Sequence, residues 1–493
     1  MLTSRVTPAR PVLVWGLTSL AVAGALHLVL EPASDTAYYL GWSRFPALGY
    51  LDHPGGVAWL ALPFPDGALW TAAWLLPLLV AAGHVWIVAG FVAQVGSLPD
   101  RQSRSAAGPP YGGNTLGVAL FASPLWVGGA LLWTPDCVFL AAWHGGLLVL
   151  LSRRRLYLLV PLAFVLVAFK LSGLWLVLVW VVAAWRRDRI RALLGTEVAR
   201  SEPSRVPTRD RRWLVSSLLA AFAALLLTGR SSLEFQLQRL ADGGGGDWLG
   251  GLELFALLGA QVALVGLPLA LGLGWLVWRS RGAKAEADGR QRLLATCAVG
   301  AAVPFLLVGL FSHVEANWLA PMLLPAVGWG LLRARGAGLQ TARPLRAAAA
   351  GQGVMLLLLA SLALPQVGPR LGAADPFAQL RGWSSWSRAL PPAELVLADR
   401  YQLAAQHALY SGAVSATFDA LAPGAAKRPG ALDGLVDLRA ERVVLLWQDR
   451  EPPAAAVERW PVACVAGVLA TPSGGPPRET YYVVRASKSE GCE

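Results

Sequence analysis

The sequence predicts a polytopic α-helical membrane protein with a small α/β domain at its C-terminal end. Three observations predict it. The 493-residue chain is 55% hydrophobic and only 15% charged, where a soluble protein carries roughly 25% charged residues. Apolar runs of a length that spans a bilayer recur as far as residue 366. Beyond that point charge, turn residues and short β-like runs return. The expected division is therefore a transmembrane domain over 1–366 and a soluble, extracytoplasmic domain over 367–493.

About eleven spans are read along the chain. They lie near 11–30, 68–94, 114–133, 137–151, 156–169, 171–185, 213–228, 251–278, 293–312, 318–332 and 347–366. The first follows Arg5 and Arg10 and has the look of a secretion signal, but the many spans after it make a retained helix the expectation. Several of the others are shorter than a full crossing and are expected to be broken or re-entrant. In the tail, Leu395–Ala398, Val443–Trp447 and Tyr481–Val484 read as strands and 401–411 as a helix.

Charge sets the orientation. With the N-terminus inside, the cytoplasmic loops receive the Arg153-Arg154-Arg155 triplet, the basic loop 186–212, the set at 279–292 and the arginines at 333–346. The outer loops receive only Arg44, Lys170, Arg230 and Arg239. This is the asymmetry of the positive-inside rule, and it absorbs the net charge of +12, so nucleic-acid binding is excluded. An odd number of spans puts the C-terminal domain outside. Four cysteines are too few for a disulfide scaffold. Cys137 and Cys297 sit in apolar surroundings, while Cys464 and Cys492 both fall in the tail, where pairing is left open.

The same topology gathers ionisable residues at the outer face, where such groups are functional candidates. Asp35 opens the first outer loop. It reads either as the start of a new helix or as a general base. Tyr38 and Tyr39 are interface aromatics or the lining of a sugar or lipid pocket. Asp52-His53 closes the loop as a solvated turn or as part of a site. A metal there needs further ligands, for which Glu315 and His313 are available, so no firm cofactor is assigned and a divalent metal stays open. Asp136 follows Thr134-Pro135 between apolar runs. Lys170 interrupts an apolar stretch over 156–185, either snorkelling or contacting phosphate. Glu315 and Asn317, before Trp318, read as an interfacial loop or as hydrogen-bonding partners of a polar substrate. Gly243 to Gly246 match no phosphate loop and read as a flexible outer loop.

These residues also form a recognisable series. Asp35-Thr36-Ala37-Tyr38-Tyr39, Leu48-Gly49-Tyr50-Leu51-Asp52-His53-Pro54 and Val57-Ala58-Trp59-Leu60 resemble the first outer loop of bacterial family-39-like glycosyltransferases. These are relatives of the protein O-mannosyltransferases and of the aminoarabinose transferase that modifies lipid A. Ser123-Pro124 with Thr134-Pro135-Asp136 resembles the second acidic loop of that family. Lys170 after Ala168-Phe169 resembles its hairpin lysine, and Val314–Trp318 with Ala320-Pro321 its Asn-Trp-Pro-Ala-Pro stretch. Ala398-Asp399-Arg400-Tyr401-Gln402-Leu403-Ala404 resembles a piece of its tail.

The resemblance implies a GT-C fold and sugar transfer from a polyprenyl-phosphate donor at the outer face of the bacterial inner membrane. It implies Asp35 as the catalytic carboxylate and Asp136 as a second acid of the substrate site. Tyr38, Tyr39, Arg44, Asp52, His53, Lys170, Glu315 and Asn317 are the expected substrate-binding set. The acceptor is a lipid, protein or glycan. The chain departs from the family pattern at Thr36, where Glu is usual, at Gly55, where a second Pro is usual, and at Ala68-Leu69-Trp70, where an Arg is usual. The competing classes are a lipid-sugar flippase or transporter and a scaffold of a glycan-assembly complex. Charge-free mid-span segments such as 213–228 and 347–366 count against transport.

Overall fold

The structure is a computed structural model. It describes residues 10–96, 111–153, 155–193, 208–242, 250–282, 289–309, 314–424, 426, 430–440, 442–448, 454, 458, 467–471 and 478–484. His313, Gly243 to Gly246, Cys464 and Cys492 lie outside the described residues. The chain divides into two compact units. The first comprises Met1–Ala21, Leu79–Ala130 and Pro135–Leu357, and the second Val22–Leu78, Leu131–Thr134 and Leu358–Glu493.

Among the described residues five helical stretches are long and apolar enough to cross a membrane. They are Asp66–Gly96, Pro135–Ser152, Arg211–Thr228, Gly289–Val308 and Ala342–Ala363. Phe255–Val265 and Leu267–Arg279 make a sixth if the pair counts as one span. Arg10–Leu26, Leu156–Phe169 and Gly173–Arg186 are shorter apolar helices. Of the eleven runs read in the sequence, 114–133 and 251–278 are broken, and 11–30, 156–169, 171–185 and 318–332 form shorter helices.

Each break has a local cause. The 251–278 run bends by 105° at Gly266. Gly266 has φ +89°, and a Cβ there would lie 2.1 Å from the Gln352 amide. Only glycine meets both demands. Gln352 lies at the bend, its Nε2 donating to the Val265 carbonyl at 2.5 Å, and Pro268 sits in the first turn of the second helix. The 114–133 run is two helices, Tyr111–Phe121 and Pro124–Leu131, because a residue before proline is disfavoured in the helical region. The 156–169 and 171–185 runs are separated at Lys170, whose backbone is extended (φ −155°, ψ 132°). Gly173 closes that turn against the Leu166 carbonyl, 2.5 Å from where a Cβ would be.

In the second unit five strands form one sheet: β1 Leu395–Ala398, β2 Val414–Thr417, β3 Val443–Trp447, β4 Gly467–Thr471 and β5 Arg478–Val484. The order is β2-β1-β3-β5-β4. β1 pairs in parallel with β2 and with β3, Leu395 standing opposite Val414 and Val443. β5 is antiparallel to both β3 and β4. β1 and β3 are buried along their whole length, as parallel strands covered on both faces must be. Val396, Ala398, Val444 and Leu446 face one core with Trp383, Trp386 and Leu403. Leu395, Leu397, Val443 and Leu445 face the other with Phe418 and Trp447.

The helix Tyr401–Ser411 follows β1 directly and packs against the short helix Ser34–Gly41 of the same unit. Gln406, fully buried, ties them by donating from Nε2 to the Pro32 carbonyl at 2.8 Å.

Candidate functional site

The expected site residues fall into two clusters, one in each unit. In the second unit, Asp35 stands in the first turn of Ser34–Gly41, where a carboxylate is favoured by the helix dipole. It is exposed. Tyr401 Oη donates to its Oδ1 at 3.2 Å.

One turn on, Tyr38 is buried. Its hydroxyl donates to Asp52 Oδ2 at 2.6 Å and accepts the Ala431 backbone N–H at 2.7 Å. Burial first, then the Asp52 charge, holds this phenol well above its usual value, so it stays a donor at working pH. Its ring lies 4.1 Å from that of Tyr401. Tyr39 approaches His53 with ring centroids 5.9 Å apart.

Asp52-His53 sits in a tight reversal. Gly49 bridges Pro54, the Tyr50 N–H donates to the His53 carbonyl at 3.0 Å and the Gly55 N–H to the Leu48 carbonyl at 2.9 Å. Trp59 Nε1 donates to the Ala47 carbonyl at 2.9 Å, and Tyr50 stacks on Trp42 at 4.2 Å. Backbone hydrogen bonds and ring stacking thus hold the loop together. Arg44 pairs with Asp66, Nε to Oδ1 at 3.2 Å, and donates from Nη1 to the Ala413 carbonyl.

Thr36, the departure from the family pattern, is fully buried, and its Oγ1 accepts the Trp133 backbone N–H at 3.0 Å. A glutamate would bury a carboxylate in that place. Thr36→Val should leave that buried N–H without an acceptor, a cost of about 1–3 kcal/mol. Thermal unfolding in detergent should show a Tm lowered by several degrees, and an unchanged Tm would count against this role.

In the first unit, Pro135 opens the helix Pro135–Ser152 and Asp136 lies in its first turn. Lys170 Nζ donates to Asp136 Oδ1 at 2.6 Å, with both side chains largely buried. Asn317 Nδ2 donates to Asp136 Oδ2 at 2.9 Å. The Lys170 ammonium also lies 5.8 Å from the Phe139 ring centroid and 5.9 Å from that of Trp318, within cation–π range. Asn317 belongs to the 3₁₀ turn Ala316–Leu319, which Gln261 pins from Nε2 to the Ala316 carbonyl at 2.8 Å. Among the described residues, Asn317 Oδ1 is buried without a hydrogen-bond partner.

The remaining expected residues do not join either cluster. Glu315 precedes that turn and is exposed. Arg230 is exposed and pairs with Glu234 one turn on, and the Arg239 side chain lies outside the described residues. No three of His, Cys, Asp and Glu come together as a metal site among the described residues.

Two features escaped the sequence reading. Tyr401 lies in a stretch that resembles the family tail, yet its reach to Asp35 spans 366 positions. His84 Nε2 lies 2.6 Å from His144 Nδ1 in the wall of an apolar cavity of about 80 Å³. Their position inside apolar spans was the available signal.

The long apolar helices are those of a membrane protein. No protein-family model matches the chain, and no curated protein matches it. Among solved structures it is similar to ArnT from Cupriavidus metallidurans bound to undecaprenyl phosphate. The TM-score is 0.57 at 13% identity, over 96% of this chain and 98% of that one. It is similar too to the apo state of the same protein, with a TM-score of 0.55 at 14% identity, over 96% and 97%. The chain therefore has the GT-C fold of ArnT.

Proposed function

We propose that this protein is an integral membrane glycosyltransferase that moves a sugar from a polyprenyl-phosphate donor to an acceptor at the outer face of the bacterial inner membrane. The observation that carries this reading is the likeness to a structure that holds undecaprenyl phosphate, extending over nearly the full length of both chains. In the same reading eleven helical segments make the transmembrane domain 1–366, and 367–493 is an extracytoplasmic domain. The sugar, the acceptor and the requirement for a metal are separate questions.

The chemistry follows from the residues. The acceptor is a hydroxyl or an amine. Its oxygen or nitrogen attacks the anomeric carbon while the bond from that carbon to the phosphate oxygen breaks. The acceptor proton passes to Asp35, and the polyprenyl phosphate departs with the bonding electron pair. One base and one displacement invert the anomeric centre, whereas retention needs a second carboxylate as nucleophile. The departing phosphate is already anionic, so it needs a cation more than a proton. Lys170 is the cation suited to that task, and Asp136 and Phe139 hold its ammonium in place. Asn317, with its unpartnered Oδ1, would accept a hydrogen bond from a polar substrate group. Tyr38, Tyr39, Asp52, His53, Arg44 and Glu315 shape or support the substrate loops.

A strain lacking the protein tests this reading. It should accumulate a polyprenyl-phosphate-linked sugar and lose one glycosylated envelope product. An unchanged lipid and envelope profile would contradict it.

A further inference from the structure

We infer that Tyr401 is a positioning residue of the transfer site, so that the C-terminal α/β segment completes the catalytic loop and does more than cover it; the inference rests on Asp35 being the base. Three observations carry it. The Tyr401 hydroxyl donates to Asp35 Oδ1 at 3.2 Å. The Tyr401 ring packs on Tyr38 at 4.1 Å with planes tilted by 32°, and Tyr38 is itself fixed by Asp52 and by the Ala431 N–H. Gln406, further along the same helix, grips the Pro32 carbonyl just before the Asp35 helix begins.

The topology places Tyr401 where a sheet of this kind presents its chemistry. The chain leaves β1 through the helix Tyr401–Ser411 to β2 on one side, and β3 then lies on the other side of β1. The carboxyl end of β1 is therefore a topological switch point, the place where open α/β sheets bind ligands or carry functional groups. Tyr401 is the first residue of the helix that starts there.

The physical need is orientation. A base must point along the line of attack, and a hydrogen bond to one carboxylate oxygen helps to set that direction. A phenol whose ring is wedged against Tyr38 can hold Asp35 Oδ1 without adding charge. The aromatic stack sets the phenol, and the phenol sets the base.

The test uses the full-length protein in liposomes with a panel of radiolabelled undecaprenyl-phosphate hexoses and pentoses and an envelope extract as acceptor. Tyr401→Phe keeps the ring and deletes only the hydroxyl. It should lower kcat about tenfold, leaving KM for the donor and Tm unchanged. Tyr401→Leu, which also removes the stack, should fall further. Wild-type kcat in Tyr401→Phe beside an inactive Asp35→Asn would overturn the inference and leave Asp35 standing as the base. Activity lost together with Tm would also overturn it, since the residue would then be purely structural. An active Asp35→Asn would instead overturn the assignment of the base itself.

Discussion

Replacing Asp35 by asparagine is expected to lower sugar transfer by about 10³-fold, within the range that a positioned general base supplies. The substitution is nearly isosteric, and the amide oxygen can still accept the Tyr401 hydroxyl that reaches Oδ1 in the wild type. What it removes is the capacity to take up the acceptor proton. Asp35 is exposed in the first turn of Ser34–Gly41, so insertion, expression and Tm should stay close to wild type. Donor binding should persist, because the donor's phosphate is neutralised elsewhere. A variant that folds normally and still transfers at full rate would remove Asp35 from the mechanism. Asp35→Glu is a useful companion: it keeps the base and displaces it by one methylene, so it should retain a measurable residue of activity.

Lys170→Met should have the second-largest effect, and on two properties at once. Lys170 and Asp136 are an ion pair at 2.6 Å with side chains only 11% and 18% exposed. Removing the ammonium leaves the Asp136 carboxylate still bonded by the Asn317 amide but with its charge uncompensated. Breaking a buried pair from one side costs about 3 kcal/mol or more, so the Tm should drop markedly. Transfer should fall at least about 100-fold, since in the proposed mechanism the leaving phosphate loses its cationic partner. The two effects can be separated. In Lys170→Met with Asp136→Leu both charges are gone, and much of the lost stability should return, but activity should not. Recovery of activity along with stability would show that the pair is structural.

Much of the fold was legible because its rules are local. Apolar runs marked the helices, and the all-apolar Leu395–Ala398 and Val443–Trp447 marked strands buried on both faces. The strands Val414–Thr417 and Gly467–Thr471 were missed. Their mixture of serine, threonine, alanine and glycine carries little strand signal, and the neighbouring strands alone make them strands. The breaks at Ser123-Pro124 and Gly266 were written in Pro and Gly, but a hydropathy pattern runs straight through both.

The candidate site was legible as residues and not as contacts. Asp136, Lys170 and Asn317 were each singled out in the sequence, yet their mutual hydrogen bonds join positions 34 and 181 apart. Thr36 looked like a defect in a pattern. Its side chain in fact supplies the acceptor for the Trp133 N–H, 97 positions away. Tyr401 is the clearest case, because no local rule ties a tail tyrosine to a carboxylate that follows the first apolar segment.

The measurement that bears most directly on the account is the fate of the label in sealed liposomes holding the purified protein and a radiolabelled undecaprenyl-phosphate sugar, with acceptor extract on the outer side. The account predicts that the label leaves the polyprenyl phosphate and appears on the acceptor with inverted anomeric configuration, and that Asp35→Asn stops it. Label that crosses the bilayer still joined to its polyprenyl phosphate, with no transfer, would contradict it.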